Sequence, residues 1–113
     1  MRFVLSSKIF KATVTEANVN YSGSITIDKS LCVSCGLWFG EKVLVVSNTT
    51  GKRLETYVIE GGPGSGIICM NGAAAHKIKK GEEIIIMGFT LSDKPITPKI
   101  LFLDKDNKII KTN

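Results

Sequence analysis

The chain is poor in aromatic residues, at 7%, and holds a single tryptophan and a single histidine. So few aromatics leave few platforms on which unpaired bases could stack. Long apolar runs are missing too. The run Ile84–Met87 passes into Gly88 and Phe89, whereas a membrane helix needs about 20 apolar residues, so no membrane partner is expected. Arg2 and Lys8 flank a short apolar patch at the start, and no leader-type apolar core follows; a cytoplasmic location is expected. Cysteines number three, Cys32, Cys35 and Cys69, and an odd count argues against a disulfide framework. Cys32 and Cys35 form one C-x-x-C pair. A structural zinc site needs four ligands, and only Cys69 and His76 remain as candidates. The strand-to-helix context of a redox pair is also lacking. The pair reads as small buried hydrophobes on a short helix, and no metal is expected.

What remains is ordinary globular composition: 113 residues, 43% apolar and 22% charged, enough for one core and too little for two. Fifteen basic residues against ten acidic ones give a net charge of +5. A basic balance suits an anionic partner, nucleic acid or an acidic small molecule. The lysines beyond His76 are spread rather than grouped in a stripe, and no nucleic-acid partner is expected.

Short strands separated by turns dominate the pattern. Phe10, Ala12 and Val14 alternate with Lys11, Thr13 and Thr15, which predicts a strand with one buried face. The polar stretch Glu16 to Gly23 breaks the pattern. Ser24 to Asp28 alternates again, with Ile25 and Ile27 inward. Lys29 to Phe39 is predicted as a short helix capped by Asp28. Val43 to Val46 reads as a buried strand, and Leu54 to Ile59 as another. A glycine-rich connection, Gly61 to Gly66, leads to a strand at Ile67 to Met70, a capped helical turn at Asn71 to His76, and a strand at Glu83 to Phe89. Beyond Pro95 and Pro98, Ile100 to Leu103 and Ile109-Ile110 read as a terminal hairpin. Many short strands with little helix predict a small closed or nearly closed β-barrel.

Four features could carry chemistry. At Gly23-Ser24 a serine hydroxyl next to a strained peptide bond could attack the preceding carbonyl, turning an amide into an ester; elimination and hydrolysis would leave a pyruvoyl group. Glycine suits the position because it permits unusual backbone angles, although most Gly-Ser pairs are only turns. In Arg53 to Tyr57, the residues Arg53, Glu55 and Tyr57 share one strand face. Arginine can grip a carboxylate through two parallel bonds and tyrosine can donate a proton, or the pair can be plain surface residues. Asn71-Gly-Ala-Ala-Ala-His76 joins an N-capping asparagine to small residues that leave helix amides open to an anion, or is simply a tightly packed turn. His76 itself could be an acid, a ligand or a core residue. The glycines from Gly61 to Gly66 lack the Lys-Ser or Lys-Thr ending of a phosphate loop and read as a connecting loop.

Together these pieces resemble the bacterial aspartate 1-decarboxylases, pyruvoyl enzymes that make β-alanine for pantothenate. The matching segments are Ser7 to Ala17, Tyr21 to Asp28, Gly51 to Ile59, Gly64 to Gly66 and Asn71 to His76, in the family's order and spacing over nearly the whole chain. The resemblance implies a mainly β fold, a single-domain six-stranded double-psi β-barrel with short helices and a C-terminal hairpin, assembled as a homotetramer. It implies self-cleavage between Gly23 and Ser24, alone or helped by a maturation factor, into chains 1–23 and 24–113. Ser24 would become the covalent pyruvoyl cofactor, which forms a Schiff base with L-aspartate. Tyr57 would be the proton donor. Thr56 would bind substrate and assist processing, Gly72, Ala73 and Ala74 would contact substrate, Lys8 and Arg53 would supply positive charge, and Asn71 would position the reacting groups. Charge-assisted bonds of about 1.5–3 kcal/mol each would favour a doubly charged acidic substrate.

Strand periodicity places Thr56 and Tyr57 on opposite faces. A bulge, a strand end or a subunit boundary would reconcile them. Val33 and Phe39 stand where the family commonly has polar residues, which suggests a sticky surface or a partner site; Pro63 stiffens the glycine loop. Two other functions fit less of the pattern. A non-catalytic barrel that binds an anionic ligand would need neither a cleavable Gly-Ser bond nor a proton donor, and a pyruvoyl decarboxylase for another acidic amino acid, such as glutamate, would differ only in substrate.

Overall fold

β1 (Arg2–Thr13) runs through the whole molecule and shows how the chain bends into a barrel. In the computed structural model, which describes residues 1–113, β1 pairs antiparallel with β7 (Glu83–Ser92), and the register slips between Leu5 and Ser7 and again between Ile9 and Ala12. Lys11 takes a left-handed φ of 63° at the second slip. The extra residue reverses the phase of the strand. Ile9, Ala12 and Val14 are therefore the buried residues, and Phe10, expected inward, is half-buried and packs edge-on against Phe102. Simple alternation could not register a bulge.

The remaining strands are β2 (Glu16–Asn18), β3 (Ile25–Asp28), β4 (Lys42–Ser47), β5 (Arg53–Gly61), β6 (Ile68–Asn71), β8 (Lys99–Leu103) and β9 (Ile109–Thr112). Their hydrogen-bonded order is β2-β6-β3-β5-β4-β7-β1-β8-β9. The strand count is nine where six were expected. Six consecutive strands, β6-β3-β5-β4-β7-β1, make the barrel wall. The other three are the β8–β9 hairpin and β2, a three-residue strand inside the polar stretch that hydrophobic patterning reads as a break. The wall closes where the Thr15 N–H donates to the Ile68 carbonyl at 2.8 Å, just past the end of β1. β3 lies parallel to β5, antiparallel to β6 and joined to β5 through β4, so this small sheet is mixed. Ile25, Ile27, Val43, Val45, Ile84 and Ile86 fill the barrel interior together with Ile9 and Ile68.

α1 (Lys29–Cys35) closes one side. Asp28 caps it as predicted, its Oδ1 accepting from the Ser30 N–H at 2.8 Å and the Ser30 hydroxyl at 2.7 Å. The helix stops at Cys35 rather than Phe39. Gly36 adopts a left-handed φ of 79° and its N–H donates to the Cys32 carbonyl, a C-terminal stop. Cys32 and Cys35 are buried. Burial above all, with nearby negative charge adding to it at Cys32, pushes their thiols up to about 12 and about 11, so both stay protonated and unreactive. α2 is one turn, Ala74–Lys77.

Candidate active site at the Gly23–Ser24 junction

Ser24 immediately precedes β3, and nearly everything that shapes the site follows from its surroundings there. Its side chain is 2% exposed. Its φ is +98°, and that of Gly23 is +117°. Glycine adopts such angles freely, but a serine held there carries strain of about 1–3 kcal/mol. The peptide bond between the two residues thus lies between two left-handed φ values, which is what the sequence could propose but not establish.

The strain persists because the neighbouring strand holds the junction from two sides. Asn71, at the end of β6, donates its backbone N–H to the Ser24 carbonyl at 3.0 Å. Its side-chain Nδ2 donates to Ser24 Oγ at 3.0 Å and to Thr26 Oγ1 at 2.9 Å. Gly72 follows with φ +66°, and a Cβ there would lie 2.6 Å from both the Gly23 nitrogen and the Tyr21 carbonyl oxygen. Only a glycine lets β6 approach the junction this closely. The Gly72 N–H donates to the Asn18 carbonyl at 2.8 Å, tying β2 to the same place.

The sequence pattern predicts Asn71 as the cap of the following helical turn. The cap position belongs instead to Ala73, with no side-chain bond, and the Asn71 amide is turned inward to the two hydroxyls. An asparagine before a helical turn is ambiguous in sequence, because its amide serves equally as a cap or as a buried donor. His76 is exposed on α2 and lies outside the cavity described next.

A cavity of about 290 Å³ opens beside the junction, lined by Gly23, Ser24, Thr56, Asn71, Ala73 and Ala74, together with Leu54, Glu55 and Lys77. The structure thus brings together six of the residues singled out from sequence. It adds Lys77 and Glu55, which sequence reading missed. Lys77 follows Ala73 and Ala74 by four and three positions, a helical spacing that puts all three on one face and could have flagged it. Glu55 sits beside Thr56 at the rim, where its carboxylate pairs with Lys42 at 3.1 Å.

Tyr57, Arg53, Lys8 and Gly72 do not line this cavity; Gly72 packs instead against the Gly23 and Tyr21 backbone. Tyr57 is 44% exposed and faces a separate hollow with Lys42, Glu55 and Thr56. β5 pairs with β4 in unbroken register from Arg53 to Tyr57, and Tyr57 lies within the strand. Neither a bulge nor a strand end turns Tyr57 towards Ser24. From Arg53 to Ile59 burial alternates along β5, with Thr56 half-buried and Tyr57 exposed, so Thr56 alone turns towards Ser24, as periodicity requires.

The family model described as aspartate decarboxylase matches residues 1–110. An aspartate 1-decarboxylase of Caldicellulosiruptor saccharolyticus is 54% identical over 112 residues, covering 96% of this chain and 88% of the relative. Aspartate 1-decarboxylases of Acetivibrio thermocellus and Neisseria meningitidis serogroup C are 50% and 48% identical, covering 95% and 96% of this chain and 88% of each relative.

Proposed function

The chain belongs to the aspartate decarboxylase family, and from that premise we propose that it makes its own catalytic group at Ser24 and shares its active site between copies. The reaction is decarboxylation of L-aspartate to β-alanine and carbon dioxide, on the route to pantothenate. A soluble biosynthetic role accords with a chain in which no helix is long and apolar enough to cross a membrane, and we place it in the cytoplasm.

The observation that carries the reading of Ser24 is a buried serine at φ +98° whose Oγ accepts from the Asn71 amide. That bond occupies one lone pair and steers the other. In the first step Oγ attacks the Gly23 carbonyl carbon, the peptide C–N bond breaks, and the Ser24 nitrogen takes up a proton; the product is an ester and a free amine. Relief of the φ strain at Ser24 favours this shift. Loss of the Ser24 Cα proton then expels the ester oxygen, so residues 1–23 leave with a terminal carboxylate and dehydroalanine remains. Water adds to its imine tautomer and ammonia departs, leaving a pyruvoyl group at the start of the 24–113 chain. The cavity beside Ser24 fits that group, because Ala73, Ala74 and Thr56 leave room there and Asn71 offers a donor. Once present, the group supplies an electron sink for the pair released when a carboxylate leaves as carbon dioxide.

The chain's own residues divide the remaining work. Lys77 brings positive charge to the cavity and Thr56 a hydroxyl, so an acidic amino acid is drawn in and held. Tyr57 is the proton donor to the decarboxylated carbon, and Arg53 and Lys8 hold substrate carboxylate. These three reach a Ser24 cavity from a neighbouring copy in a homotetramer. A subunit boundary is the remaining way to bring Tyr57 to a Ser24 cavity, since β5 is regular there and turns only Thr56 towards the Ser24 of its own copy. The hollow of Tyr57 shares Lys42 and Glu55 with an apolar hollow lined by Phe3, Val43, Leu44 and Phe89, a surface suited to burial against another copy.

Intact mass measurement of the purified, denatured protein tests the Ser24 reading. Two fragments meeting between Gly23 and Ser24 are expected, the larger without a free α-amine, and Ser24→Ala should give one whole chain that makes no β-alanine. Normal turnover by that variant would remove the pyruvoyl mechanism.

A further inference from the structure

Four polar side chains share the outer face of the β3–β6 pair, opposite the core residues Ile25, Ile27, Ile68 and Met70, and are nonetheless buried. Ser24 and Thr26 stand two apart at β3, and Cys69 and Asn71 two apart on β6. Thr26 and Cys69 are direct partners in the antiparallel register. All four are buried, at 2%, 9%, 2% and 0% exposure respectively. Their bonds close on the Asn71 amide. Its two N–H groups go to Ser24 Oγ and Thr26 Oγ1, and its Oδ1 accepts from the Cys69 thiol at 3.2 Å.

Resting on the reading of Ser24 given above, we propose that Cys69 and Thr26 are positioning residues for the self-cleavage, acting through the orientation of the Asn71 side-chain amide. An amide rotated by half a turn would present oxygen to Ser24. A hydroxyl can answer either end, because it both donates and accepts, so Ser24 by itself does not choose the orientation. Cys69 does: a protonated thiol donates to oxygen, whereas a sulfur facing an N–H is only a weak acceptor. Burial pushes the Cys69 thiol up, so the proton is retained. Thr26 takes the second N–H, which would otherwise be buried without a partner. With both in place, the first N–H has one direction left, towards Ser24 Oγ, and the serine keeps its attacking lone pair aimed at the Gly23 carbonyl.

The test is the first-order rate of self-cleavage of the full chain, made by cell-free translation and sampled over time by intact mass. Cys69→Ala and Thr26→Val should each slow cleavage about tenfold, the effect of about 1.4 kcal/mol. Thr26→Ser, which keeps the hydroxyl, should stay within about twofold of the parent rate, whereas Cys69→Ser should fall between the parent and Cys69→Ala, because a hydroxyl answers either end of the amide. In an Asn71→Ala background, Cys69→Ala should add nothing, because its effect passes through that amide. A purely structural role would instead lower the melting temperature without this pattern of rescue and non-additivity. If the parent cleaves and Cys69→Ala and Thr26→Val match its rate, or if Cys69→Ala still slows cleavage without Asn71, the inference is overturned and the reading of Ser24 stands. A parent chain that stays whole overturns that reading and the inference together. Thr26→Val and Cys69→Ala sit on opposite strands, so misfolding of one leaves the other to decide.

Discussion

At the scale of single residues, the strain at the junction depends on what its neighbours lack. Gly72 has no Cβ, and that absence lets β6 press against Gly23 and Tyr21. Gly72→Ala should lose about 1–3 kcal/mol from its φ of +66° alone, with more from two backbone contacts at 2.6 Å. Thermal melts would show the lost stability, and intact mass should show slower cleavage, since β6 would be pushed off the junction. The resemblance implies a substrate contact at Gly72; that the position instead admits the backbone of Gly23 and Tyr21 emerges only from the fold. The same division applies to Tyr57. Strand periodicity already sets Tyr57 on the face opposite Thr56, whereas which hollow each face borders emerges only from the fold. Tyr57→Phe should cleave itself normally and lose at least about tenfold in kcat, because a general acid contributes on the order of 10²–10⁴-fold and water replaces only part of it. Full turnover by Tyr57→Phe would assign the proton to another group.

Among the elements, the strands other than β2 and the cap of α1 follow from sequence because their signals are local: alternation, β-branched runs and an aspartate before a short helix. The bulge at Lys11, the early stop at Gly36 and the inward turn of Asn71 do not, since each is settled by contacts with distant strands. Asp28 joins the two kinds of information. Besides capping α1, its carboxylate accepts from the Gly64 N–H at 3.0 Å and the Gly66 N–H at 2.8 Å, fastening the glycine loop to the helix start. Burial pushes this carboxyl up, but bonds from the Ser30 hydroxyl and from the Gly66, Ser30 and Gly64 amides outweigh it and hold it below its ordinary value of 3.8. The folded chain therefore binds this proton less readily than the unfolded chain. The resulting stability is complete above pH 3.8 and is lost as the pH falls through the lower folded value. Glu82 behaves in the same sense. Burial raises it, but the Ser47 hydroxyl at 2.6 Å, the Lys79 N–H at 2.7 Å and the charges of Lys52 and Lys79 bring it below 4.5. Melting temperature should hold above about pH 5 and fall steadily below it. Asp28→Asn keeps the shape but turns a donor towards an amide. It should cost about 2 kcal/mol at neutral pH and flatten the acid limb of the melting curve; an unchanged acid limb would assign the acid sensitivity to other carboxylates.

For the whole molecule, the decisive fact is how much apolar surface a single copy leaves in water. Phe3 and Trp38 are 75% and 78% exposed, Val33 69% and Ile110 68%, more than a lone barrel of this size would be expected to carry. The sticky surface suggested by Val33 and Phe39 is therefore part of a broader apolar exterior. Part of it adjoins Tyr57, so the proposed sharing of the site between copies would put assembly and catalysis on neighbouring surfaces, and an isolated copy should then be inactive. Mixing two dead variants separates a shared site from a private one. In an assembly of Ser24→Ala and Tyr57→Phe copies, a site built across a boundary can draw Ser24 from one copy and Tyr57 from the next. Random mixing of equal amounts would then restore about a quarter of the sites, each variant supplying its intact half with even odds. Co-expression of the two chains, followed by a β-alanine assay and size analysis, should show that recovered fraction in an assembly the size of a tetramer. If Tyr57 instead served its own copy, every site would lack one of the two groups. The mixture would then be no more active than the sum of the separate variants, whatever its size.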